Sequence, residues 1–325
     1  ASILYAMNLG VQAHMNYQQA ASKAYTQVDD KVNISLENVR NMGKVVSREI
    51  PAAFEQMQPA LYDIFSSIEV RGKEASGVGE EILRQAAKAA VAGQVDVQTA
   101  VQTSVGLLNG YGMKINSVTE ATASMNKVND FMFTLVKEGV GDYEDFGAAV
   151  GKIIPSAQRA GVEMNDFGAA LALLTRNGAT AANAGTFVAR ALDAISKTKT
   201  QDNFQAVGLS VRDATGHFKP FSQIMDEVSN KMKNMSEPEK ASFVEQLFKG
   251  SGGTIQAMKA IIPALTNANG LYTELQAAME ASGGAAEAAY RIMQDTPEAQ
   301  IQAMKNQWAN LAEVVGKAAM PVFLE

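Results

Sequence analysis

Apolar residues return every three or four positions along most of the chain, with polar residues between them. This spacing places apolar side chains on one face of an α-helix, whereas a strand would alternate at every second residue. Several apolar runs end at a glycine, which readily adopts the left-handed conformation that closes a helix. Such runs are Ile82, Ala86, Ala89 and Ala90 before Gly93; Phe167, Leu171 and Leu174 before Gly178; and Val244, Leu247 and Phe248 before Gly250. The pattern predicts about a dozen short helices.

Three helix starts are marked by specific residues. Asp142 precedes a run of good helix formers, and Ser236 with Glu239 has the spacing of a capping box. Thr296 is followed by Pro297, and proline is favoured at the first position of a helix. These signals place helix beginnings after Asp142, Ser236 and Thr296.

The segment 208–221 has a different pattern. A polar turn at 213–216 is flanked by apolar residues, namely Leu209, Val211, Phe218 and Phe221. Such a pattern predicts a short β-hairpin or an extended loop. The predicted fold class is therefore all-α: a multi-helix assembly of short stacked helices with one small β-hairpin near 208–221.

A short motif occurs twice in the middle of the chain. Residues 145–150 read DFGAAV, and residues 166–171 read DFGAAL. One helix and one turn fill the interval, which indicates successive helix-turn units that stack their apolar faces. A weaker match at Asp96, Ala100, Val101 and Leu107 precedes Gly110 and Gly112. The alternative is coincidence in alanine-rich sequence.

The two ends of the chain differ from its middle. Residues 1–75 predict an N-terminal helical hairpin or coiled-coil segment, and residues 76–270 a core helical domain. Residues 271–325 predict a C-terminal amphipathic segment, whose apolar positions suit packing against a partner helix. These positions are Ile301, Met304, Trp308, Leu311, Val314 and Val315. We expect this helix to end at Gly316 or at Pro321.

Composition narrows the class of protein. The 325 residues are 47% hydrophobic, which is enough to bury a core, and the formal net charge is −6. An acidic chain without clustered Lys and Arg predicts no stable nucleic-acid binding. Cysteine is absent, so the chain has no disulfides or thiolate metal sites. Charged residues, namely Lys88, Arg176, Arg190 and Lys259, interrupt the most apolar stretches, so no membrane-spanning helix is predicted.

The beginning of the chain has no initiating methionine, basic region or apolar signal core. We interpret the sequence as a fragment or a processed product.

Few residues suggest chemistry. His14 and His217 are far apart in sequence, and His217 follows Gly216, where a solvated turn residue is expected. The glycine-rich residues 249–254 precede a predicted helix and resemble a phosphate cradle. A P-loop, however, requires Lys followed by Ser or Thr after the glycines, and here Thr254 is followed by Ile255. We interpret that segment as a turn between helices.

Three carboxylate pairs, Glu80–Glu81, Asp29–Asp30 and Glu144–Asp145, lie in polar segments where solvated helix faces or first-turn charges explain them. We therefore predict no catalytic, cofactor-binding or metal site, no cofactor, and a protein that is not an enzyme.

The order of several motifs carries a resemblance. The helix at 166–175 leads into a Gly-Ala-rich turn at 177–185 and then a helix with Arg190 before Ala-Leu. The predicted hairpin follows within 207–221, and a helix ending in EQLFKG occupies 245–250. The ordered combination is more specific than any one part.

With these motifs, residues from about 32 to 262 resemble the core domain of bacteriophage tail tape measure proteins. The segment 299–321 is similar to the one that follows this core in such proteins. Two features depart from the family: Ala181 and Ala182 stand where an acidic residue is frequent, and the long coiled-coil ruler is not within this chain.

The resemblance implies a structural virion protein that templates tail length and assembly and is released during genome ejection. It implies a location in the tail lumen, and in the host cytoplasm during assembly. The implied partners are further copies of the chain in a homo-oligomer, expected to be a trimer, together with the tail tube protein, tail assembly chaperones, and baseplate or tail-tip proteins. Membrane contact is expected only during ejection.

Glycines and prolines interrupt the helices too often for a continuous rod, so we expect a folded node within a longer tape. Two alternatives stay open: a helical cell-entry or membrane-translocation module, and a fragment flanking a cell-wall hydrolase.

Overall fold

The computed structural model describes residues 2–250, 262 and 270–324, and these residues form fifteen α-helices. The helices are α1 (Ser2–Tyr25), α2 (Leu36–Glu49), α3 (Phe54–Ser67), α4 (Ala75–Gly93), α5 (Val97–Gly110), α6 (Val118–Glu138), α7 (Tyr143–Ala160), α8 (Met164–Arg176), α9 (Ala181–Ile195), α10 (Thr198–Ala206), α11 (Phe221–Met232), α12 (Glu237–Leu247), α13 (Leu271–Glu280), α14 (Ala285–Gln294) and α15 (Pro297–Leu324). The predicted all-α class is confirmed.

The segment predicted as a β-hairpin is reduced to one antiparallel bridge, between Arg212 and Phe218. The turn between these residues is stabilised by Asp213, whose carboxylate accepts bonds from the backbone N–H groups of Thr215 and His217 at 2.8 and 3.0 Å. A single bridge pairs too few backbone groups to form the strands of a hairpin. The segment is therefore a loop between α10 and α11 that contains one tight turn.

Several predicted helix boundaries are confirmed. The Asp142 carboxylate accepts a bond from the backbone N–H of Asp145, and Ser236 with Glu239 forms the predicted capping box. The helix α15 begins at Pro297, as predicted. The prediction that it ends at Gly316 or Pro321 is wrong, because α15 continues to Leu324.

The residues group into two compact units, one comprising Ala1–Asn129 with Gly284–Glu325 and the other Asp130–Gly283. The first unit contains helices from both ends of the sequence, because α1 and α15 pack along each other. Gly10 and Gly316 meet where these helices cross, and a Cβ atom on Gly316 would overlap the backbone of Gly10. Gly316 is thus used for a close approach of two backbones, not for a helix end. The division of the chain into segments 1–75, 76–270 and 271–325 stays a prediction.

The first unit is also held together by Asn306 of α15. Its side-chain amide donates to the carbonyls of Ser47 and Ala52 at 2.9 and 2.7 Å, and its oxygen accepts from the backbone N–H of Phe54 at 3.1 Å. These backbone groups belong to the end of α2, the linker, and the start of α3. Helix ends leave such groups without partners inside the helix. One buried side chain of α15 therefore satisfies the α2–α3 junction.

A second polar contact of α15 involves Glu313, whose side chain is 1% exposed. Its carboxylate oxygens lie 2.7 Å from Lys44 Nζ and 3.0 Å from His14 Nδ1. Burial alone would raise the pKa of the Glu313 carboxyl, but the interactions with Lys44 and His14 outweigh it and hold that pKa below its ordinary value. Glu313 is therefore charged in the folded protein and joins α15 to α1 and α2.

In the second unit the two copies of the repeated motif begin neighbouring helices, α7 and α8. Phe146 and Phe167, the aromatic residues of the two copies, are both fully buried. The aspartates differ: Asp145 is exposed, whereas Asp166 is buried and accepts a bond from the backbone N–H of Phe221 at 2.7 Å. The motif thus lies at the start of two neighbouring helices, and the aspartate of its second copy also caps a third helix, α11.

Close helix contacts in the second unit depend on glycine. A Cβ atom on Gly185 of α9 would lie 2.9 Å from the Cβ of Ala149 in α7. One on Gly168 of α8 would lie 2.5 Å from the ring of Phe131. These positions therefore admit no larger side chain without a shift of the packed helices.

We predict that Asn306→Ala lowers the free energy of unfolding by about 2–4 kcal/mol, because several buried backbone groups lose their partner. Urea denaturation measures this loss. Gln307→Ala, on the exposed side of the same helix, is the matched control and should change the free energy of unfolding by less than about 0.5 kcal/mol. Equal losses in the two variants would contradict the role given to Asn306.

We predict that Glu313→Gln weakens the dependence of stability on pH in the acid range. As the pH falls below the ordinary value of 4.5, the unfolded chain takes up the proton first. The stabilisation from charged Glu313, which is fully present above that value, is then lost as the pH falls through the lower pKa of the folded chain. Denaturation midpoints measured from about pH 3 to about pH 6, a range that brackets the ordinary value, test this expectation. Glu298→Gln, at an exposed position of α15, should keep the wild-type slope.

We predict that Gly178→Val destabilises the second unit by more than about 1 kcal/mol. Gly178 has φ +90° and no atom within 4 Å of an added Cβ, so the loss arises from backbone conformation alone. Thermal unfolding followed by circular dichroism measures it. Gly178→Asn should lose less, because asparagine tolerates the left-handed region better than valine, and an unchanged melting temperature for the valine variant would refute the argument.

Candidate interaction surface

The two histidines lie in different units and in different surroundings. His14 is buried beside Glu313 in the first unit. His217 is exposed in the second unit, and its Nδ1 lies 2.8 Å from the Thr215 hydroxyl oxygen, in the turn where the sequence places it. Among the described residues, no group of three or more His, Cys, Asp or Glu side chains is arranged to hold a metal ion.

The Glu80–Glu81 pair is engaged by an arginine. Arg84 donates to Glu80 at 2.7 Å, to Glu81 at 2.8 Å and to Glu49 at 2.8 Å. Burial alone would lower the pKa of the Arg84 guanidinium, but its bonds to the three carboxylates raise that pKa above its ordinary value. These carboxylates therefore bind α2 to α4 through Arg84.

The other two carboxylate pairs belong to loops and helix starts. Asp30 accepts a bond from the backbone N–H of Gly72 at 2.9 Å, and this bond lowers the pKa of the Asp30 carboxyl. Glu144 and Asp145 occupy the first turn of α7, where acidic side chains favour the helix dipole. Each pair thus has a structural explanation.

Most of the glycine-rich segment 249–254 lies outside the described residues. Lys249 and Gly250 alone belong to the described part, and Gly250 has φ +84°. The predicted turn and its phosphate-cradle alternative both stay predictions.

Two concave regions contain little chemistry. A cleft of about 260 Å³ in the first unit lies beside Pro51, Gln56, Gln94 and Thr296, and Glu298 is the one ionisable residue in its lining. A second, of about 390 Å³, lies beside α12 in the second unit, and its one ionisable residue is Glu239. Glu239 already accepts bonds from Ser236. Neither lining contains a histidine or lysine that could serve as a base for its hydroxyl groups.

The most distinctive exposed feature of the described structure is an apolar surface on α15. We call it the α15 stripe, and its side chains are between 40% and 68% exposed, with Trp308 the most exposed. The stripe consists of Ile301, Met304, Trp308, Leu311, Val314 and Val315. A single exposed apolar residue is ordinary on a protein surface, whereas a contiguous set marks an interaction site.

The buried face of α15 carries polar residues together with small ones such as Ala299 and Ala319. Asn306, Asn310 and Glu313 are 1%, 6% and 1% exposed, and they face α1 and the α2–α3 junction. The sequence predicts an amphipathic helix here but does not reveal that its polar side is the one packed inside its own unit. Asn306, Asn310 and Glu313 share one helix face, but polar side chains on one face ordinarily indicate exposure to solvent. Their partners lie more than 250 residues earlier in the chain, so no local signal could have revealed this burial.

The stripe has the spacing of a helix-pairing seam. Ile301, Met304, Trp308, Leu311 and Val315 follow one another by alternating steps of three and four residues. Such a repeat keeps apolar side chains on one line along a helix and is typical of a surface that packs against another helix. We therefore identify the stripe as the candidate interaction surface.

None of the described helices has the length and apolar character that crossing a membrane requires.

A sequence model of the family described as phage-related minor tail protein matches residues 36–249. The matched range begins at the first residue of α2 and ends just after α12, so it includes most helices of both units and excludes the α15 stripe. No solved structure matches the chain.

A curated relative supports the same assignment. The chain is 24% identical over 317 residues to a protein of Clostridium phage phiCD119 described as "Probable tape measure protein". The alignment covers 96% of this chain and 32% of the relative, so the chain spans about a third of the length of that protein. Because the family match covers well over half of the chain, this chain belongs to the family of phage-related minor tail proteins and is a phage tail tape measure-like protein.

Proposed function

We propose that the chain is a folded node of a phage tail tape measure protein, the molecule that templates tail tube length during assembly and leaves the tube during genome ejection. Family membership supports a structural role in the phage tail. The observation that carries the proposal is the alignment, which places nearly all of this chain within a third of a tape measure relative. The remaining two-thirds of such a protein are available for an extended ruler.

The helices of the chain support the distinction between node and ruler. The longest described helix, α15, has 28 residues and extends about 42 Å at 1.5 Å per residue. The other described helices are shorter, and their ends are joined by turns and buried polar contacts. A ruler converts residue number into length most directly as a continuous helix, which this segment is not.

We further propose the partners and locations that such a role requires. The protein would lie in the tail lumen of the virion, and in the host cytoplasm during assembly, as a homo-oligomer, with a trimer as the expected state. It would contact the tail tube protein, tail assembly chaperones, and baseplate or tail-tip proteins. The net charge of −6 supports the expectation that the protein does not bind nucleic acid stably.

We propose that this segment is not an enzyme. The two histidines lie in separate units, and the two clefts each contain one carboxylate. A hydrolase domain elsewhere in a longer protein is compatible with this view. A cell-entry or membrane-translocation module is the second candidate function, and the exposed α15 stripe is the observation that favours it.

We predict that in-frame deletion of residues 142–192, which removes α7, α8 and most of α9, leads to absent tails or tails of altered length. Electron microscopy of particles from the parent phage or prophage measures both. If the segment acted as a helical ruler, tails would shorten by about 1.5 Å per deleted residue. Normal tails of normal length with a late infection defect would instead favour the cell-entry function.

Point variants separate the folded node from chain length. Gly168→Val leaves the residue number unchanged but forces a Cβ branch against Phe131, so we expect it to reduce tail assembly. Gly151→Ala is the matched control, since an added Cβ at Gly151 meets nothing within 4 Å, and it should give normal tails. Normal tails from Gly168→Val would indicate that assembly does not require the packing of α8 on Phe131.

A further inference from the structure

We propose that residues Gly284–Glu325, which we call the arm, form a strap that leaves the first unit as intact helices while α2–α5 stay folded. The arm contains α14 and α15, and it is the part of the first unit that follows the second unit in the sequence. The inference goes beyond the proposed function, because it concerns how the first unit opens, whatever the molecule assembles with.

The arm contributes few apolar side chains to the unit that it closes. Among its described residues, the buried apolar side chains are those of Tyr290, Ala299 and Ala319. The helices α2–α4 instead supply large, fully buried apolar residues, which include Val39, Met57, Leu61, Ile64, Ile82 and Leu83. Burial of apolar area is the dominant stabilising contribution in folding. Most of that contribution in the first unit therefore comes from residues outside the arm.

The helix α14 is held to α4 by a contact with Lys88. The Nζ atom of Lys88 lies 3.1 Å from Glu287 Oε2 and 5.3 Å from the centre of the Tyr290 ring. The side chains of Lys88 and Glu287 are 25% and 44% exposed, so water already reaches this ion pair. Exposed pairs of this kind add little to stability. The contact therefore positions α14 without holding it strongly.

The helix α15 is docked by three polar residues. Asn310 donates to the Ser47 hydroxyl at 3.1 Å, Asn306 bonds the α2–α3 junction, and Glu313 contacts α1 and α2. When the arm leaves, water reaches both members of each pair, so the net loss per hydrogen bond is small. Removing one member by substitution is different, because the other member stays buried without a partner. Release of the arm therefore costs less than separation of helices that share large apolar side chains.

Glycines lie at two places where release changes the chain. Gly283 and Gly284 precede α14, Gly284 has φ +85°, and a Cβ atom on either would meet nothing within 4 Å. Glycine permits a wide range of backbone angles, so the chain can change direction at this pair. Gly316 meets Gly10 where α15 crosses α1, and this crossing places backbone against backbone. The arm thus has a turning point at its start and no large interlocking side chain at this crossing.

The absence of cysteine allows a direct test, because one introduced thiol reports on one position. Ser47→Cys places a thiol beneath α15, where Ser47 is 2% exposed and bonds to Asn310. Ser104→Cys is the matched control: Ser104 of α5 is also fully buried and bonds to an asparagine at 3.0 Å, but that partner, Asn129, belongs to α6. A buried thiol reacts with iodoacetamide only when the structure around it opens.

We expect the thiol of Ser47→Cys in the full chain to react at least about tenfold faster than that of Ser104→Cys under native conditions. Each rate is divided by the rate of the same variant unfolded in urea, which corrects for intrinsic reactivity. Low concentrations of urea should accelerate the reaction at position 47 less steeply, because release of the arm exposes less surface than unfolding of the unit.

A second substitution separates release of the arm from fraying of α2. Gly316→Ala adds a Cβ atom that overlaps the backbone of Gly10 in α1, whereas Ser47 belongs to α2. We expect it to accelerate the reaction at position 47 by a further factor of about ten and to leave position 104 unchanged. Circular dichroism should show no loss of helix, since alanine favours helix more than glycine does. Gln307→Ala, on the exposed side of α15, should change neither rate.

Three results would overturn the proposal. Equal corrected rates at positions 47 and 104 would show that the first unit opens only as a whole. An unchanged rate at position 47 after Gly316→Ala would assign the opening to the end of α2 alone. Equal acceleration of both positions by Gly316→Ala would make the arm part of the cooperative core.

Discussion

Four side chains each accept a hydrogen bond from the first backbone N–H of a helix that is not their own. They are Asn306, Gln56, Glu74 and Asp166. The donors are Phe54 of α3, Val97 of α5, Val118 of α6 and Phe221 of α11, at 3.1, 3.0, 3.0 and 2.7 Å respectively. A chain divided into many short helices has many free backbone groups at helix ends, and burial makes each unpaired group costly. Acceptor side chains from distant positions therefore cap these helix starts, and short helices can pack closely without losing hydrogen bonds.

These caps also explain why the ends of the sequence meet in the first unit. Asn306 lies more than two hundred residues after the α2–α3 junction that it satisfies, and Glu313 is similarly distant from His14. The α1–α15 pair, with its crossing at Gly10 and Gly316, brings these groups into place. The first unit is thus closed by contacts between its earliest and latest helices, and its polar contacts determine which side of α15 faces inward. The apolar side is left for another surface.

The local features of this fold could be predicted from sequence, and the distant contacts could not. The period of apolar residues, the capping box at Ser236 and the proline at the start of α15 are local signals, and each predicts a feature that the structure contains. Gly316 has the same local signal as a helix end, yet it serves a crossing with Gly10, which no neighbouring residue reveals. Asp145 and Asp166 stand in identical motifs, and only tertiary packing makes the second a cap for α11. For the same reason, the sequence shows the apolar spacing of the α15 stripe but not that this side is exposed.

The caps have a consequence for how such a sequence can diverge. Asn306 recognises carbonyl and N–H groups of the backbone, which every residue other than proline supplies. Ser47, Ala52 and Phe54 could therefore be replaced over generations without altering the chemistry that Asn306 reads, as long as the backbone path persists. The side chains of these residues make other contacts, such as that of Phe54 with Tyr17, but the contact with Asn306 places no requirement on them. A fold organised in this way can tolerate extensive drift, which accords with a relative that aligns along nearly the whole chain at only 24% identity.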